Sequence, residues 1–221
     1  MRTTSHAVTV LAMILAASLA SSASADMLYE STVINTSGGV ITAMYDPANL
    51  PGSYMLMDDI SVPAGGWTID TVSTFFNPLV SIPTTTNAYL VVFPKSLGTP
   101  NPMDYATNVP VTRTRELFTD PENGFSRNTY RFDASGLNVS LAPGDYWIGL
   151  TPIADDTWMA WGSRTPNMER PIYWSVGAGA YTTYPGLWTG PDMMLRIQGV
   201  VPEPATLGLL LLALPLCRQR R

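Results

Sequence analysis

Histidine and cysteine are almost missing from this 221-residue chain. The single histidine, His6, and the single cysteine, Cys217, both lie in apolar end segments, so the long stretch between them has neither. That excludes Ser-His-Asp and Cys-His catalysis there, zinc sites built on Cys or His, a histidine haem ligand and any disulfide. Lysine is as scarce: Lys95 stands alone, and no motif joins it to a serine nucleophile. Long runs of 3.6-residue periodicity are also absent, which argues against helices in the middle of the chain. Neither apolar end run reaches the ~20 residues that a comfortable membrane span takes.

Basic residues are few as well. Of 12, Arg2 lies at the start and Arg218, Arg220 and Arg221 at the end, leaving 12 − 4 = 8 against 17 acids. A middle with a formal charge of −9 repels phosphates, so nucleic acid is excluded as a partner. Without disulfides, such a domain depends on its core, and some 175 residues are enough for one.

The two ends carry the clearest signals. Arg2 precedes an uncharged run at residues 8–20 rich in Ala, Leu, Val, Ile and Met, and Ala23-Ser24-Ala25 follows. This is the layout of a cleavable signal peptide over residues 1–25, with Ala23 and Ala25 as the small residues that signal peptidase reads and Asp26 as the new N-terminus. At the other end, Pro202-Glu203-Pro204 leads into a Leu-rich run bounded by Ala205 and Leu216, and Arg218, Arg220 and Arg221 close the chain. The prolines stop a strand from passing through. The 13 residues from Ala205 to Cys217 make ~20 Å of helix, short against a ~30 Å hydrocarbon core. The terminal arginines favour the cytoplasmic side, which leaves everything upstream outside.

Pro-Glu-Pro, a short Leu-rich run and a basic end resemble the PEP-CTERM sorting signal, over roughly the last 20 residues. The resemblance implies export by a Gram-negative-type bacterium that makes extracellular polysaccharide. It also implies transient anchoring in the inner membrane and recognition of the tail by exosortase, a transpeptidase-like membrane enzyme. The destination is then the cell surface or extracellular matrix. An ordinary tail anchor is the alternative, so cleavage and retention of the tail both stay open. Two inner stretches resemble segments of other proteins with this tail. Asp58-Asp59-Ile60-Ser61-Val62-Pro63-Ala64-Gly65-Gly66-Trp67-Thr68-Ile69 is similar to "DDF-x-VP-x-GGW-x-I", and Leu141-Ala142-Pro143-Gly144-Asp145-Tyr146-Trp147 to "L-x-PG-x-YW". They imply a jelly-roll-like domain of unassigned function.

Read on its own, the middle is a series of strands. With 19 prolines and 17 glycines in the chain, short β-branched and aromatic runs alternate with turns, as in a sandwich or barrel. Strands are expected at 29–34, 40–45, 54–62, 68–76, 88–93, 125–132, 137–141, 145–151, 158–161, 172–175 and 193–199, with a long loop at 94–110. The expected fold is all-β: a jelly-roll-like antiparallel sandwich over 26–198. A signal helix flanks it at the N-terminus and a short hydrophobic helix within 199–221 at the C-terminus.

Chemistry, if present, rests on oxygen and aromatic groups. Asp58-Asp59 and Asp155-Asp156 suit calcium or a glycosidase carboxylate pair. Neighbours on a strand face opposite ways, so neither pair makes a one-faced dyad without a bulge. Calcium candidates are therefore Asp155 and Asp156 between strands, and Asp120 and Glu122 in the turn Asp120-Pro121-Glu122-Asn123-Gly124; solvated turn acids are the alternative. Trp158, Trp161, Trp174 and Trp188 could stack on sugar rings, or fill the core. The expectation that follows is an exported, non-enzymatic surface or matrix protein with no obligate cofactor, processed by signal peptidase and exosortase and associated with envelope or exopolysaccharide. A carbohydrate-binding module using residues 158–188 is the alternative, and a carboxylate-based polysaccharide-active enzyme ranks third.

Overall fold

The computed structural model describes residues 25–34, 40–42, 54–78, 84–153, 158–163, 172–175, 179–182 and 192–202. Their strands are β1 (Asp26–Ser31), β2 (Val40–Thr42), β3 (Tyr54–Val62), β4 (Trp67–Pro78), β5 (Asn87–Pro94), β6 (Ala106–Pro110), β7 (Thr112–Thr119) and β8 (Ser126–Ala134). Then come β9 (Val139–Leu141), β10 (Gly144–Pro152), β11 (Trp158–Ser163), β12 (Ile172–Ser175), β13 (Ala180–Thr182), β14 (Asp192–Met193) and β15 (Leu195–Val200). Helix among the described residues is confined to two short 3-10 turns, Lys95–Leu97 and Pro102–Tyr105. The protein is thus all-β, as its composition predicts. Both expected terminal helices lie outside the described residues.

The strands form two antiparallel sheets. One runs β1-β15-β4-β11-β14, with β2 on β11, β8 and β9 on β4, and β7 on β8; the other runs β13-β12-β3-β10-β5-β6. Alternation of side chains sets what each sheet buries. In β15, Leu195 and Ile197 are buried while Arg196 and Gln198 are half-buried. In β3, Leu56, Ile60 and Val62 join Ile69, Val72, Phe76, Phe132 and Ile197 of the other sheet in one large apolar cluster. Each of these side chains, wholly enclosed, contributes on the order of 1.5–3 kcal/mol. Edge-to-face packing of Phe76 on Phe132, centroids 6.2 Å apart, fixes the centre of that cluster.

The six-stranded sheet is apolar on its other side too. Met55, Met57, Val91, Phe93 and Trp147 form a second cluster, covered by Met103, Ile172 and Tyr181 among others. This cover explains why the expected loop at 94–110 is not simply a loop. Pro102–Tyr105 winds into a 3-10 turn, in which Met103 packs against the cluster, and residues 106–110 pair with β5 from Val91↔Ala106 to Asn87↔Pro110. Pro110, which has no N–H to donate, ends this edge strand where its cost is least.

Turn chemistry fits the backbone. In the Pro63-Ala64-Gly65-Gly66 turn, the Gly66 N–H donates to the Pro63 carbonyl at 3.0 Å. Gly66 has φ of +73°, and a Cβ there would sit 2.5 Å from the Leu141 carbonyl oxygen, so glycine is required. Beside this turn, whose Gly65 faces Val201, β1 runs antiparallel to β15 with Asp26 opposite Gly199 and Ser31 opposite Leu195. The first and last strands therefore lie side by side. The paired structure continues to Val200, two residues beyond the boundary drawn at 198.

Candidate functional site

The site is built where the two sheets meet at β3. On one edge of β3 the ladder with β12 ends at Met57↔Ile172. On the other edge the ladder with β10 begins at Asp58↔Ile148. Asp58 shares its side of the strand with the inter-sheet residues Leu56 and Ile60, and Asp59 shares the other side with Met55 and Met57. β14 brings Asp192 to the same point from the nine-stranded sheet, held by Ser163↔Asp192 and Gly162↔Met193. One carboxylate oxygen each from Asp58, Asp59 and Asp192 can be chosen so that all three lie within 4.8 Å of one another. The alternation expected of Asp58 and Asp59 holds for their neighbours, yet the carboxylates still approach one another.

All three aspartates are fully buried. Asp58 Oδ1 accepts the Asp59 N–H at 3.1 Å, whereas Asp58 Oδ2, equally enclosed, accepts no hydrogen bond. Asp59 Oδ2 pairs with Lys95 Nζ at 3.2 Å, and that ammonium lies 4.8 Å from the centre of the Trp147 ring. Burial pushes the Asp58 carboxyl well above the usual carboxylate range, and the negative charges of Asp192 and Asp59 push it further. The backbone N–H groups of Asp59 and Met193 oppose this and do not outweigh it. Such a set of hard oxygen donors takes a proton or a hard cation. A glycosidase pair needs an open cleft, and these carboxylates have no solvent face.

Asp58 and Asp59 are among the acids considered from sequence; the other candidates either fall elsewhere or lie outside the described residues. Asp120 is buried, but its turn uses its oxygens: Glu122 N–H donates to Oδ1 at 3.0 Å and Asn123 Nδ2 to Oδ2 at 3.3 Å. Asn123 Oδ1 in turn accepts the Phe125 N–H at 2.8 Å. Glu122 points to solvent, so the Asp120–Glu122 calcium candidate is structurally a capped turn. Asp155 and Asp156 lie outside the described residues. Of the four candidate tryptophans, only Trp161 has a described side chain. Trp161 is 2% exposed and packs with Ile34, Phe75 and Met194, which corrects its reading as a sugar contact: a ring enclosed on all sides offers no face to a ligand. Trp158 is on β11 and Trp174 on β12, strands of different sheets, and Trp188 lies outside the described residues.

At the ends, Ala25 and Asp26 are exposed at the start of β1, and Pro202 is exposed after β15. Ala23, Glu203, Pro204, Ala205, Leu216, Arg218, Arg220 and Arg221 lie outside the described residues. No helix among the described residues is long and apolar enough to cross a membrane. Asp192 is the functional candidate that sequence reasoning missed. Its only local signal was an acid beside Met193-Met194, which alternation alone does not mark as buried. No family model matches the chain, and comparison with curated proteins and with solved structures returns no match.

Proposed function

We propose that this is an exported, non-enzymatic protein of the cell surface or extracellular matrix, delivered by its signal peptide and sorted by its PEP-CTERM-like tail. Its two sheets form a jelly-roll-like sandwich, with an apolar helix at each end of the unprocessed chain. One observation supports the reading: among the described residues, the paired strands run from Asp26 to Val200. A signal ending at Ala25 and a sorting tail starting at Pro202 would both leave these strands intact. Exposure of Ala25 and Pro202 is what processing enzymes need. The burial of Trp161 counts against the carbohydrate-binding alternative.

The test is processing in cells with an active exosortase. A chain ending at Val201 should be exported and released in soluble form. The full chain should reach the surface without its Leu-rich run and basic end. Replacing Pro202, Glu203 and Pro204 by alanine leaves the apolar run intact, so membrane insertion should persist while cleavage stops. Intact mass of the surface fraction separates these cases. Mature protein still carrying Arg221 would make the tail an anchor and end the sorting proposal.

A further inference from the structure

We propose that Asp58, Asp59 and Asp192 bind one calcium ion, which clamps β3 of the six-stranded sheet to β14 of the nine-stranded sheet. Geometry allows it. Oxygens that each lie ~2.4 Å from one calcium ion are at most about 4.8 Å apart, and one oxygen from each aspartate meets that limit. The donor set is oxygen alone, which suits calcium and magnesium and not the soft metals that seek sulfur or imidazole.

Proximity of acids by itself would mean little. A separate observation points to a ligand: Asp58 is wholly enclosed, its carboxylate is directed into the group, and its Oδ2 accepts no hydrogen bond. Buried polar oxygens are ordinarily satisfied, and one left unmet costs about 1–3 kcal/mol. A cation beside Asp58 removes that cost. Lys95 does not do so: its ammonium meets Asp59 Oδ2 and lies against Trp147, on the side of the sheet away from the inter-sheet cluster. Calcium is favoured over magnesium because a six- to eight-oxygen shell tolerates irregular carboxylate geometry, whereas magnesium demands a near-ideal octahedron and keeps several waters. The site shows no solvent face for such waters.

The proposal is tested on the full-length chain in detergent, stripped with EGTA and titrated with calcium chloride. Equilibrium dialysis should give about one calcium per chain at millimolar or lower concentration. The melting temperature should rise with calcium and fall again with EGTA, because an ion specific for the native state shifts unfolding by mass action. Asp58→Asn and Asp192→Asn should each weaken binding by at least about tenfold, while Glu122→Gln, in the solvent-facing turn, should not change it. Asp58→Asn keeps shape and volume, and Asp192→Asn serves if it fails to fold. Absence of bound calcium at ~10 mM, about tenfold above the weakest extracellular sites, would overturn the proposal. So would wild-type affinity in both variants, which would put the ion elsewhere.

Discussion

Asp120 and Asp58 are both fully buried aspartates, yet their surroundings differ in kind. Asp120 sits in a turn whose own groups satisfy it: donors from Glu122 and Asn123 reach its oxygens, and its backbone N–H and carbonyl bond to Phe125 and Gly124. Asp58 sits at a junction of two sheets, with the backbone N–H groups of Asp59 and Met193 beside its carboxylate and Oδ2 still unmet. A buried carboxylate is inexpensive when the chain supplies donors within a few residues. It becomes a binding element when the fold supplies more carboxylates instead. Burial alone therefore does not mark a site; the balance of donors does.

The largest effect expected is at Asp120. Asp120→Ala removes both acceptors and should destabilise the protein by about 1–3 kcal/mol, read as a lower urea midpoint. Asp58→Asn without calcium keeps the acceptor for the Asp59 N–H and turns an amide toward Asp192. It should change stability by less than about 1 kcal/mol. Equal losses in the two variants would erase the contrast between them.

A half-buried phenol gives an intermediate case. Tyr181 donates to the Pro100 carbonyl at 2.7 Å, and burial pushes its pKa from 10.0 up to about 12. Between those values the unfolded chain gives up the proton while the folded chain keeps it. Stability should therefore be unaffected by this group below pH 10.0 and fall as pH rises toward about 12. Tyr181→Phe should flatten that alkaline slope in denaturant titrations, and an unchanged slope would show that Tyr181 is not the group responsible.

The smallest effect is expected at Glu30, which is exposed. Burial tends to raise its pKa, but hydrogen bonds from Arg196 and Thr32 and the charge of Arg196 outweigh this and lower it. A lowered carboxylate stabilises the fold above its unfolded pKa, and the contribution is lost as pH falls through the folded value. The Arg196 pairing, 2.8 Å at its nearest, is of the surface kind that contributes at most about 1 kcal/mol. Glu30→Gln should lower the melting temperature slightly at pH 7, with the gap closing below pH ~4.

Legibility followed locality. β3 and β12 have the limits that their apolar patterns predict, 54–62 and 172–175. β7 was invisible because Thr-Arg-Thr-Arg-Glu-Leu-Phe-Thr has no buried face to pattern; it is a strand through its pairing with β8 from Thr112↔Asp133 to Thr119↔Ser126. β6 hid among prolines for a similar reason. The Asp120 turn could be read because every donor lies within five residues of it. The Asp58 site could not, because its third carboxylate arrives on a two-residue strand from the other sheet. The period-two rule separated Asp58 from Asp59 correctly by face, but it says nothing about where carboxylate oxygens meet.

The pairing of Asp26 with Gly199 bears on mechanics. β15 lies between β1 and β4 rather than at the rim of its sheet. Tension drawn along a tail leaving Val200 would pull β15 lengthwise, in shear, against two hydrogen-bond ladders at once, so both must yield together instead of opening bond by bond. Because Asp26 lies opposite Gly199, chain leaving either end of the domain starts from neighbouring positions, and a pull on both ends at once loads the β1–β15 ladder directly.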